Sequence, residues 1–205
     1  MRRSVSLLLF ALSACAPDLR TDFPFDGTGA TCIDPETKKS VDCAAIPLVF
    51  ARVEGEQRTL IVDATNKEVH VYVDLDEGRE MKLDEALTTN AWDLSFKRFE
   101  ILANGGATNP EGQVEIAVIE GGDYDGTSAA PSDGFVQDGA DSVFTAVNGG
   151  WYYYDLGVHR LITKDLLYVI RSSAGAYFKL RMGSYYDDAG TPARLSLTYA
   201  SVAAP

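Results

Sequence analysis

Apolar and polar residues alternate with a period of two wherever this chain shows a clear pattern. Across 69–75, Val69, Val71 and Val73 share one face while His70, Tyr72 and Asp74 share the other, which predicts a half-buried strand. Across 176–182, Phe178, Leu180 and Met182 point inward and Tyr177, Lys179 and Arg181 outward. Together with 166–171 and the connecting Ser172-Ser173-Ala174-Gly175, that segment predicts the clearest hairpin. Further strands are predicted at 59–63, 113–120 and 195–202, and a hairpin of 142–147 with 151–155 about Asn148-Gly149-Gly150. Residues 81–89 read as one short helical turn or an irregular crossing, and 121–139, rich in Gly, Asp and Ser, as the longest loop. No segment sustains a helical period and no repeat of fixed length occurs. The pattern predicts an all-β, antiparallel single domain.

One stretch departs from simple alternation. In 90–106, Trp92, Leu94 and Phe96 take one face and Asp93, Ser95 and Lys97 the other; then the parity slips and Phe99 and Ile101 carry the apolar side. A β-bulge within one strand produces such a slip. Arg98 then lands where an apolar residue is due, five residues after Asp93, which suggests a partly buried ion pair serving the fold. Asn104-Gly105-Gly106 ends the run with residues that tolerate positive φ.

The first residues are not expected to belong to the domain. Met1-Arg2-Arg3 is basic, 5–12 is apolar, and Leu12-Ser13-Ala14-Cys15 follows, the organisation of a secretory signal too short to remain as a spanning helix. Leu-Ser-Ala-Cys also resembles the bacterial lipobox, in which Cys15 would be acylated and become the mature N-terminus. Two or three acyl chains anchor durably where one binds only marginally. The expected division is a signal peptide at 1–14, a tether at 15–45 and the β domain at 46–205. With Cys15 taken by lipid, Cys32 and Cys43 remain as a pair in an exported chain, which favours a local disulfide. Their spacing without a nearby His does not suit zinc.

A net charge of −12 over 205 residues, deepened if Arg2 and Arg3 leave with the signal, argues against nucleic acid as a partner and against anionic headgroups. A membrane association would run through the lipid anchor only. No Gly-x-Ser-x-Gly elbow, phosphate-cradling loop or metalloprotease helix is present, and no catalytic residue stands out, so an enzyme is not expected. Paired carboxylates of a hydrolase remain a third reading. Asp123-Tyr124-Asp125-Gly126 has half the form of a calcium loop, but the later ligands are missing. Soft or borderline ligands for an iron such as that of haem would come from His70, His159, Met81 or Met182. His159 follows Trp151-Tyr152-Tyr153-Tyr154 and precedes Arg160. An aromatic wall, an imidazole and a cation are the parts of a porphyrin pocket, with His159 as metal ligand, Met182 or His70 as a second, and Tyr153 in the wall. The same residues also read as sheet surface and a turn.

Trp92-Asp93-Leu94-Ser95-Phe96-Lys97-Arg98-Phe99, with Asn104-Gly105-Gly106 beyond it, resembles the signature of the HmuY family of bacterial haem-binding lipoproteins. Gly149-Gly150-Trp151, Tyr168-Val169-Ile170-Arg171, Gly175-Ala176-Tyr177-Phe178-Lys179-Leu180 and Ser184-Tyr185-Tyr186-Asp187 follow in the same order. The resemblance runs from about Ile61 to the C-terminus. It implies an all-β fold at the outer membrane, on its periplasmic or cell-surface side, that captures haem for iron acquisition and passes it to a receptor. In that family's founding member two histidines hold the iron, one before the Gly-Gly-Trp piece and one shortly after. This chain has no His between Asn109 and Trp151, and Asp155 or Leu156 takes the second position, with His159 slightly later. The matched motifs read as scaffold, with Trp92 as anchor and Asp93 and Arg98 as structural residues. A carrier of haem or a related tetrapyrrole is the first expectation, and a non-haem surface module built on 121–139 and the tyrosines is the alternative.

Overall fold

The structure is a computed structural model that describes residues 31–33, 40–42 and 47–205. Cys15 and Cys43 lie outside the described residues, so neither the lipidation nor the Cys32–Cys43 pairing is visible. A small ribbon pairs β1 (Thr31–Ile33) with β2 (Ser40–Asp42). The body holds β3 (Val49–Glu54), β4 (Gln57–Asp63), β5 (Val71–Asp74), β6 (Arg79–Met81), β7 (Leu94–Lys97), β8 (Glu100–Ala103) and β9 (Glu115–Glu120). After a helical turn, α1 (Val143–Ala146), come β10 (Tyr152–Asp155), β11 (Arg160–Thr163), β12 (Leu166–Arg171), β13 (Tyr177–Met182) and β14 (Arg194–Val202).

Six strands form one antiparallel sheet in the order β3-β4-β14-β13-β12-β9, and four form a second in the order β6-β5-β7-β8. The period-two pattern dictates how they meet. Leu60 and Val62 of β4, Leu195, Leu197 and Tyr199 of β14, Phe178 and Leu180 of β13, and Tyr168 and Ile170 of β12 point to one side. There they join Val71 and Val73 of β5 and Leu94, Phe96 and Ile101 from β7 and β8 in a single core. Burial of this apolar face from both sheets is the main favourable term, at about 25 cal/mol per Å² removed from water. Tyr199 also ties the sheets through its hydroxyl, which donates to the carbonyl of Leu75 at 3.0 Å. On the far face of the larger sheet a smaller cluster of Ala117, Leu167 and Val169 is covered by Tyr124 and Ala130 from the 121–139 loop.

The structure corrects the reading of 90–106 as one bulged strand. Lys97 pairs with Glu100 and Phe96 with Ile101, so the stretch is a two-residue hairpin whose turn is Arg98-Phe99. A two-residue loop pairs residues of opposite parity, and that is why the apolar positions shift from even to odd numbers. Arg98 adopts φ 57°, at the first turn position, where a type II′ hairpin favours glycine. Tertiary bonds hold it there: its N–H donates to the Ala64 carbonyl at 2.9 Å, and its guanidinium donates to the Thr65 carbonyl at 3.3 Å.

The expected Asp93–Arg98 pair does not form. Asp93 is fully buried and accepts instead from the Leu75 N–H at 2.8 Å and from the Ser173 N–H and hydroxyl, each at 2.7 Å. Backbone donors satisfy a buried carboxylate without needing a cation. Trp92 is buried as expected, with its indole N–H on the Ala86 carbonyl at 2.6 Å and its ring edge-on to Tyr72.

The hairpin expected about Asn148-Gly149-Gly150 is also corrected. Residues 143–146 are helical, with Val143 and Phe144 buried, and a short apolar run is consistent with either element. Strand β10 pairs with β11 instead, as a separate two-stranded ribbon. The hairpin of β12 and β13 and the alternation along β13 are as expected.

Candidate functional site

The turn of the β7–β8 hairpin forms one wall of a cleft of about 670 Å³. Residues 97–100 and Leu102 of the hairpin line this wall, residues 139–142 and Thr145 of a second segment line the other, and Ala107, Thr108 and Tyr152 complete the lining. The volume lies in the range of sites that hold cofactors, roughly 300–1,000 Å³. At the rim, Lys97 and Glu100 pair at 2.9 Å. Phe99, half exposed, presents its ring to Tyr152 in an edge-to-face contact with centroids 6.0 Å apart. Tyr152 in turn packs edge-on against Trp151 at 4.9 Å. Trp151 fixes the two walls to each other, because its indole N–H donates to the Phe99 carbonyl at 3.0 Å while its backbone N–H donates to Phe144.

Asp138 holds the opposite wall in place. Its carboxylate accepts from the Ala103 N–H, the Thr108 hydroxyl and the Val143 N–H, each at 2.8 Å. Burial pushes this carboxyl above the ordinary range, opposed by those three hydrogen bonds. Asn104-Gly105-Gly106 serves the same junction. Gly106 sits at φ 60°, and a Cβ there would run into the Asp138 carbonyl oxygen. Buried Asn104 donates to the carbonyls of Thr89 and Trp92 and accepts from Asn109. The sequence signalled the glycines, but nothing in it marked Asp138.

The residues expected to bind haem do not converge. His159 occupies the exposed turn between β10 and β11 at φ 52°, with Nδ1 3.1 Å from the Tyr154 hydroxyl. Tyr153 lies on the same ribbon and is 51 % exposed. Arg160, the expected partner for propionates, stacks on the Tyr186 ring at 4.0 Å. Met182 is 5 % exposed and belongs to the core between the sheets. His70 is half-buried, with Nδ1 3.1 Å from the Ser95 hydroxyl and Nε2 3.4 Å from Glu100. Burial lowers its pKa, Lys97 lowers it further, and Glu100 opposes both. His70 thus meets the cleft lining through Glu100 and lies within the field of Lys97. The donors present do not fit an iron held between two of these side chains.

Asp123 accepts from the Asp125 N–H within its own turn, and Tyr124 beside it is buried under Lys179 and Arg181, at 4.7 and 5.0 Å from its ring. Carboxylate oxygens of Asp74, Asp76 and Asp93 lie within 4.8 Å of one another, but those of Asp93 are already engaged by backbone and Ser173 donors.

Two antiparallel sheets around one core, with a cleft against the edge hairpin of the smaller sheet, define an all-β domain with a candidate ligand site. The family model described as HmuY protein matches residues 66–155 of the chain. No curated protein matches the chain. Among solved structures, the apo HmuY analog of Tannerella forsythia is similar with a TM-score of 0.54 at 16 % identity, covering 75 % of this chain and 96 % of that one. Apo PinO from Porphyromonas gingivitis superposes with a TM-score of 0.55 at 13 % identity, covering 73 % and 98 %. A candidate HmuY-like heme binding protein from Bacteroides vulgatus gives 0.52 at 17 % identity, covering 75 % and 97 %. At such identities the likeness establishes the fold. The resemblance to this family is thereby borne out, and the matched residues include Trp92–Phe99 and Gly149-Gly150-Trp151.

Proposed function

We propose that the chain is an envelope lipoprotein that binds haem or a related tetrapyrrole and passes it on for uptake, without a catalytic step. The observation that carries this reading is the 670 Å³ cleft, which lies where the segments before and after Gly149-Gly150-Trp151 meet the family's signature hairpin. Its aromatic end and its hydroxyl-bearing wall suit a flat ligand with polar edges. The family match and the haem-binding description of a structural relative support the same ligand class. Titration of the full chain with haemin, followed by absorbance in the Soret region, tests it. A saturable shift at one equivalent is expected, and a flat titration with a folded protein refutes it.

The proposal includes export through a signal at 1–14, acylation at Cys15, a tether at 15–45 bearing a Cys32–Cys43 disulfide, and a receptor at the outer membrane. Intact-mass measurement of the membrane-extracted protein, with and without reductant, reads the anchor and the disulfide together. A second reading, a non-haem surface module, is favoured by the tip of the β10–β11 ribbon, where Leu156 is 77 % and Val158 61 % exposed beside Tyr153 and Tyr154. Exposed apolar groups gathered at one tip suit contact with a partner. A null haemin titration together with retained binding to cell-surface material selects that reading.

A further inference from the structure

Haem proteins hold their iron through His, Met, Cys or Tyr. Among the described residues, no His, Met or Cys lines the cleft. His159 is turned to Tyr154 at the exposed tip of the ribbon, and both ring nitrogens of His70 already face Ser95 and Glu100. Tyr152 is the one remaining residue of that set at the cleft, and its ring is packed edge-on between Phe99 and Trp151. The cleft offers other contacts instead. Phe99 and Tyr152 provide apolar ring surface, Lys97 and Arg98 cations, and Thr108, Ser142 and Thr145 hydroxyls, while Glu100, paired with Lys97, and Asp141 are the carboxylates of the lining.

We infer that this cleft holds a tetrapyrrole by the faces of its macrocycle and by its carboxylate arms, and not through its metal, so that metal-free porphyrin and haemin are equivalent ligands. The inference rests on the tetrapyrrole reading above and specifies how that ligand is bound. The driving force is then removal of a flat apolar surface from water against Phe99 and Tyr152. Orientation comes from the wall hydroxyls and from Lys97, which exchanges its pairing with Glu100 for a charge-assisted bond to a ligand carboxylate. Neither contribution depends on what occupies the ring centre.

The experiment titrates the full chain with haemin and, separately, with protoporphyrin IX, reading absorbance and the quenching of tryptophan emission. Dissociation constants within about threefold of each other are expected, a difference of under 1 kcal/mol. Both should be unchanged in His159→Ala and His70→Ala. Both should weaken by about tenfold or more in Phe99→Ala and Lys97→Glu, whose side chains are partly exposed and whose circular dichroism should match the parent. Haemin binding more than about tenfold tighter than the porphyrin, with low-spin bands lost in His159→Ala, His70→Ala or Tyr152→Phe, would give the iron a protein ligand. That result overturns the inference and leaves the tetrapyrrole reading standing. Equal binding unaffected by Phe99→Ala and Lys97→Glu moves the ligand out of the cleft and also overturns it. Binding of neither ligand refutes the tetrapyrrole reading itself.

Discussion

Replacing Asp138 by alanine should loosen the cleft's second wall and destabilise the whole domain, and the structure sets the size of the effect. The Asp138 carboxylate takes three donors, of which the Ala103 and Val143 N–H groups are buried backbone. Asp138→Ala strands both, at about 1–3 kcal/mol for each unsatisfied buried donor. The expected loss is therefore about 2–6 kcal/mol, in line with the cost of breaking a buried charged network. Asp138→Asn keeps one acceptor oxygen. It can serve the Ala103–Thr108 side or the Val143 side but not both, so about 1–3 kcal/mol is expected. Urea unfolding followed by emission of Trp92 and Trp151 gives both values. Amide exchange locates them, because the Ala103 and Val143 amides should lose protection in the alanine variant ahead of the β13 and β14 amides. An Asp138→Ala midpoint within about 0.5 kcal/mol of the parent, the range of ordinary surface changes, would refute the assignment of this carboxylate as the support of the wall.

Gly106→Ala should cost at least about 1–2 kcal/mol from its left-handed backbone alone, and more from the clash with the Asp138 carbonyl; a neutral result in urea unfolding would reject the close approach. Burial raises the Asp93 carboxyl above 3.8, against the hydrogen bonds from Ser173 and Leu75. The folded chain then keeps a proton that the unfolded chain releases, so stability falls as pH rises from 3.8 through the folded value. The advantage of the parent over Asp93→Asn should shrink across that window, and an advantage that grows with pH contradicts it. For His70 the folded pKa lies below 6.5, so its contribution is intact above 6.5 and is lost as pH falls through the folded value. An imidazole proton titration reads it directly, and a midpoint above 6.5 would show that Glu100 outweighs burial and Lys97. Trp151→Phe removes the indole bond to Phe99 and should cost about 1 kcal/mol together with weaker porphyrin binding; loss of stability with unchanged binding would separate Trp151 from the cleft.

Where a side-chain alternation meets one buried and one wetter face, the sequence already carries the structure. In β13, Phe178, Leu180 and Met182 go inward and Lys179 and Arg181 outward, as the period of two requires. The turn at Arg98-Phe99 was illegible for a physical reason. Neither residue is a turn former, and the conformation is held by the carbonyls of Ala64 and Thr65 and by the indole of Trp151, all distant in sequence. The parity slip was visible, but a bulge and a two-residue hairpin both produce it. Residues 143–146 failed likewise, since a four-residue apolar run has no period to read. The ring of possible iron ligands failed because residue type says nothing of direction. Met182 lies on the inward face of its strand, where the core claims it, and the same alternation that predicted its burial argued against its reaching any ligand.

The family signature and the cleft turn out to be one construction. The Trp92–Phe99 motif supplies the hairpin that forms the first wall, and Asn104-Gly105-Gly106 makes room for the Asp138 segment that forms the second. Gly149-Gly150-Trp151 then joins them, with Gly149 and Gly150 at positive φ delivering the Trp151 indole to the Phe99 carbonyl. Motifs that read as scaffold are thus the frame of the site. The two histidines sit outside that frame, His159 on the ribbon tip and His70 behind Glu100. That frame is fixed by buried hydrogen bonds and glycine contacts, whereas the ribbon tip is held by its own turn, in which Asp155 accepts from the Gly157 and Val158 N–H groups. If the cleft holds a tetrapyrrole as proposed, the macrocycle meets that frame while both histidines lie off it, so binding to the ring and binding to the metal are separable in the haemin and porphyrin titrations.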